Sequence, residues 1–152
     1  MSNYAFMKSG VNLLETDVPD TELLNNVQAL VLSFTEAALS IADTYVHHAE
    51  RGAITPTDIR LCLMVETFKY LRRTDVSERV QKWKEILRDE EDGDEEHDSG
   101  SSDTESQSRV PFAKSACTCA DCELINNAEL RWASWEPENN IEVILKRAID
   151  NI

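Results

Sequence analysis

The chain has no run of about 18 apolar residues, the length a membrane-spanning helix requires. Its N-terminus carries no basic flank followed by an apolar stretch and a small-residue cleavage site. These absences lead to the expectation of a soluble, intracellular protein with no membrane partner. Glycine and proline are scarce, four of each, and aromatic residues make up 7%. With leucine, isoleucine, alanine and valine dominant, this composition favours helices. There is no glycine-rich phosphate loop, no plausible pair of catalytic carboxylates and no nucleophile set beside a base in the sequence, so no enzymatic activity is expected. Of the four cysteines, three lie together at Cys117, Cys119 and Cys122. A secreted disulfide framework would spread them along the chain.

What is abundant is negative charge, with a formal net charge of −14 on 152 residues. It is unevenly placed. Residues 1–88 carry 10 basic and 12 acidic side chains, residues 89–108 carry none and 10, and residues 109–152 carry 5 and 7. The stretch DEEDGDEEHDSGSSDTESQS at 89–108 has no aliphatic or aromatic side chain and cannot offset the entropy of ordering. It is read as a disordered acidic linker between a domain at 1–88 and a C-terminal unit at 109–152.

A short helix is expected over Asn3–Ser9, ending at Gly10. From Asp20, apolar residues recur at three- and four-residue spacing: Leu23, Leu24, Val27, Leu30, Val31, Phe34, Ala38, Ile41, Ala42 and Tyr45. This predicts a long amphipathic helix capped by Asp20 or Thr21, running to about Arg51 and stopped by Gly52 in the left-handed conformation. At roughly 45 Å it is too long for the neighbouring short helices to cover, and it needs a partner. Thr55 and Pro56 suit the cap and first turn of a second helix reaching about Arg73. A third starts at Asp75 or Ser77. Beyond the linker, a helix is predicted from about Ala120 to Trp135 and another from about Asn139 to Ile152. Trp132 and Trp135 share a helix face and are expected to pack against Ile141, Ile144 and Leu145.

The segment HAERGAITPTDIRLCL, residues 48–63, resembles the corresponding stretch of the core histone that builds the central tetramer. The matching positions are His48, Ala49, Arg51, Ile54, Pro56, Asp58, Ile59 and Leu61. The order of a short helix, a long central helix and a third helix is similar to that of the histone fold, here with an extra helix and a small C-terminal Cys/Trp helical unit, all within an all-α class. Independently of the family, Arg51 and Asp58 can meet across the turn as an ion pair that clamps the loop. The resemblance implies a handshake dimer, a homodimer or a heterodimer with another histone-fold chain, whose core would take Leu30, Phe34, Ile41, Tyr45, Ile54, Ile59 and Leu63. NYAFMKSG, ITPTDI, CTCADC, RWASWEP and ILKRAIDNI together also resemble, in this order, small histone-like proteins of large nucleocytoplasmic DNA viruses. That likeness implies a place in the virion, the host nucleus or the virus factory.

The function implied is a non-enzymatic pairing subunit in viral chromatin organisation or transcription. The alternative is a structural component of the particle that does not touch nucleic acid. Histones hold DNA through cations set against phosphate, whereas GVNLLETDVP at 10–19 has no basic residue. DNA is therefore expected to bind weakly, or through a basic partner. Cys117, Cys119 and Cys122 can share a zinc ion, which in a structural site takes four thiolate or imidazole ligands. Cys62, His97, Asp121 or a group from a partner chain could supply the fourth. A disulfide and unliganded thiols are the other readings of the cluster, and Cys62 also fits a buried free thiol. His47 and His48 fall near the end of the long helix, where its dipole favours a protonated imidazole.

Overall fold

The computed structural model describes residues 20–70, 72–91 and 110–152. They form six helices: α1 Thr21–His48, α2 Pro56–Tyr70, α3 Val76–Glu91, α4 Ala120–Asn126, α5 Ala128–Ser134 and α6 Asn140–Asp150. There is no strand among the described residues, which are all-helical. The helix expected over Asn3–Ser9, and most of the acidic tract with His97, lie outside the described residues. The first three residues of that tract, 89–91, belong to α3.

Asp20 caps α1 by accepting a hydrogen bond from the Glu22 amide. The far end of α1 closes differently from expectation. Glu50, with φ 55°, takes the left-handed position, and no described glycine has a positive φ. The Arg51 amide bonds to the Val46 carbonyl and the Glu50 amide to that of His47, the paired bonds of a Schellman cap. The left-handed stop thus falls at Glu50, two residues before Gly52, and Arg51 emerges from the cap toward Asp58.

Both α2 and α3 pack along α1. Ala29, Ser33 and Ala37 are buried, Ser33 shares a hydrogen bond with Tyr70 of α2 at 3.2 Å, and on the side facing α3 Glu36 accepts bonds from Trp83 Nε1 at 2.8 Å and Lys82 at 3.1 Å. On another side Ala38, Ala42 and Tyr45 enter a core with Leu61, Cys62, Leu63, Met64 and Val65 of α2. That core also takes in Cys122, Ile125, Ala128, Trp132 and Ile149 from beyond the acidic tract. By length and composition α1 could cross a bilayer, but here its C-terminal half lies in this core.

The helix expected over 120–135 is broken at Asn127, whose side chain donates to the Glu123 carbonyl at 2.8 Å. Serving as both the end of α4 and the start of α5, it turns the chain between two seven-residue pieces. The tryptophans also pack elsewhere than expected. Phe68 of α2 meets Trp132 at 5.9 Å and Trp135 at 5.2 Å between ring centroids, edge to face. Ile141 and Ile144 are 66% and 67% exposed, and Leu145 is half-buried. Burying a tryptophan needs more apolar surface than one short helix offers, and α2 supplies it.

Candidate metal centre

His48, Cys117, Cys119 and Cys122 converge so that one donor atom from each lies within 4.8 Å of all the others. His48 is the last residue of α1. Cys119 caps α4, Cys122 lies in its first turn, and Cys117 is on the extended approach to it. His48 Nδ1 is 3.3 Å from Cys122 Sγ and 3.6 Å from Cys119 Sγ. A tetrahedral ion with metal–sulfur bonds near 2.3 Å and a metal–nitrogen bond near 2.05 Å sets such edges at about 3.5 Å. The cluster therefore has the size of a single four-coordinate site and could hold a metal ion. Because Nδ1 is the nitrogen facing the sulfurs, ligation there leaves the imidazole proton on Nε2.

One helical turn before His48, on the same side of α1, Tyr45 anchors the opposing segment. Its hydroxyl donates to Asn126 Oδ1 at 2.6 Å and accepts from the Ser115 amide at 3.2 Å. Asn126 Nδ2 donates to the Ser115 carbonyl, and the Cys117 amide donates to Ser115 Oγ. Cys117 is thereby held opposite His48 by bonds through Ser115, Asn126 and Tyr45.

The two ends of the thiol cluster differ in acidity. The Cys122 amide hydrogen aimed at Cys119 Sγ, followed by the neighbouring thiols and His48, lowers the Cys119 thiol to about 7. Burial pushes Cys122 up to about 11. A divalent cation would draw all three into the thiolate form, releasing protons as it binds.

Of the candidate fourth ligands, Cys62 lies wholly buried in the core, where burial pushes its thiol to about 12, and it is outside the cluster. Asp121 is occupied by Lys69 at 2.9 Å. Among the described residues the fourth potential donor in the cluster is His48, which the sequence places 69 positions before Cys117. Only the fold reveals it, since no spacing rule links a helix end to a cysteine cluster across an acidic tract.

Arg51 and Asp58 meet as a bidentate pair at 2.5 and 2.8 Å, and Asp58 also accepts from the amide and hydroxyl of Thr55. A second, unanticipated pair joins buried Glu66 to Arg73 through two bonds of 2.8 Å. Of the residues expected to form a pairing core, Tyr45 and Leu63 are buried. Phe34, Ile41 and Ile59 are half-buried against the core, and Leu30 and Ile54 are exposed. No family model, curated protein or solved structure matches this chain.

Proposed function

We propose that this protein is a non-enzymatic helical subunit of the histone-fold type that pairs through α1 with a second copy of itself, and that one zinc ion occupies the centre at His48. The observation carrying the pairing is that the described residues cover the apolar stripe of α1 along only half its length. Toward the C-terminus it is closed by α2 and the C-terminal segment. Toward the N-terminus Leu23, Leu24, Val27, Leu30 and Val31 stand 43–57% exposed, a contiguous apolar face larger than a solitary surface leucine.

A second copy suits this face because no side chain between Glu22 and Glu36 is charged. Two such helices can therefore cross without like charges meeting, despite the acidity of the whole chain. An interface between identical faces closes on itself as a dimer. Zinc suits the centre because three thiols and an imidazole are the donor set of a closed structural zinc site. Weak DNA binding is supported by the pairing of Arg51, Lys69, Arg73, Arg79 and Lys82 with carboxylates, which occupies cations that phosphate would need.

The test is the mass in solution by light scattering at micromolar concentration. A dimer is expected, and alone it should bind duplex DNA only weakly at low salt and lose that binding at physiological salt. A compact monomer, or a chain that associates only when a different histone-like protein is added, overturns self-pairing.

A further inference from the structure

Taking zinc as the occupant of the centre, we infer that the ion is the clasp that docks the C-terminal helices on α1 and α2, and that its removal frees Trp132 and Trp135 from Phe68 while α1, α2 and α3 keep their fold. The ligand set is divided in a way that favours this. Three donors lie within six residues at 117–122, and the fourth is the last residue of α1. A bound ion cannot complete its shell without pulling the start of α4 against the end of α1.

Beyond the apolar contacts of the shared core and the bond from the Tyr45 hydroxyl to Asn126, few contacts assist it. Residues 110–119 contain no helix or strand, and in this stretch a single main-chain bond, from the Ser115 amide to Tyr45, reaches the N-terminal helices. The Lys69–Asp121 pair joins a half-buried lysine to an exposed aspartate, and an ion pair so open to solvent contributes little. Helices of seven residues, as α4 and α5 are, do not persist in water without tertiary support. Cys122 is itself a core residue packed with Ile125 and Ala128, so a metal ligand and the apolar contact move together. Without the ion, neutral thiols are weak hydrogen-bonding groups, and the extended approach loses its main restraint.

The experiment uses the full chain carrying Trp83→Phe, so that emission reports only Trp132 and Trp135. Zinc content, tryptophan emission, far-ultraviolet circular dichroism and cleavage within 110–119 by a nonspecific protease are followed with zinc and with a chelator. One zinc per chain is expected. Its removal should shift emission to the red and speed cleavage about tenfold or more, with most helical signal kept and full reversal when zinc is restored. Cys119→Ser should show the metal-free emission even with zinc present, whereas Cys62→Ala should not. A chain that binds one zinc yet shows unchanged emission and cleavage without it overturns the clasp and leaves the zinc reading standing. Loss of the whole helical signal on chelation also overturns the clasp, because the ion then supports the entire fold. A chain that takes up no zinc overturns both.

Discussion

Residues around the turn between α1 and α2 carry distinct consequences. Glu50 holds a left-handed conformation that a side chain disfavours by roughly 1–2 kcal/mol, so Glu50→Gly should raise stability by about 1 kcal/mol in urea unfolding. No gain would mean that the cap is not strained. Asp58 is the opposite case. It is fully buried and holds Arg51, whose side chain is 6% exposed. Asp58→Ala therefore strands a buried cation and should cost about 3–5 kcal/mol, while Arg51→Lys keeps the charge but loses the fork. Burial raises the Asp58 carboxyl, but hydrogen bonds from Arg51 and Thr55 outweigh it and hold the group below the ordinary carboxylate range. Its stabilisation is thus complete above the unfolded value near pH 4 and is lost as pH falls through the lower folded value. Unfolding midpoints followed down to acid pH should show this loss in the natural chain and a smaller one in Asp58→Asn. The clamp was legible because both partners flank one short turn. His48 as a metal donor was not, because its partners are distant in sequence and its position at a helix end already had a sufficient electrostatic explanation.

At the level of elements, periodicity revealed that α1 is amphipathic and long, but it could not tell which half of the stripe the chain covers for itself. That depends on where α2 and the C-terminal segment dock, which is a property of contacts between distant residues. Val31→Glu lies on the uncovered half, so it should weaken self-association at least about tenfold, a loss near 1.4 kcal/mol, with helical content unchanged. A dimer of undiminished affinity would place the interface elsewhere. The tryptophan pair teaches the same lesson from the other side. Spacing placed both rings on one face, yet Ile141 and Ile144 of the following helix are exposed, and Phe68 of α2 receives the rings. Phe68→Ala should therefore cost about 3 kcal/mol, and Ile144→Ser should stay within about 0.5 kcal/mol. Equal effects in thermal unfolding would argue that the C-terminal helices pack on themselves.

Across the whole molecule, one core unites residues from both sides of the acidic tract, so a metal joining residue 48 to residues 117–122 acts on a contact the fold already uses. Composition marks the tract as a boundary because charge is local information. It carries nothing about the apolar faces that meet across the boundary. If the folded chain binds zinc and the unfolded chain does not, each tenfold rise in free zinc above the dissociation constant adds about 1.4 kcal/mol of stability. For a chain of this size that corresponds to about 3–6 °C in the unfolding midpoint. Cysteines in the unfolded chain retain some affinity and make the observed slope shallower, so the sharper observable is its onset. His48→Ala removes one ligand of four and should move the onset to higher zinc without abolishing it, whereas Cys62→Ala should leave it in place. Calcium and magnesium, which prefer oxygen ligands, should leave the midpoint unchanged. A midpoint flat across buffered zinc from nanomolar to micromolar would mean that the four donors are merely neighbours, and that apolar packing alone holds the C-terminal helices in place.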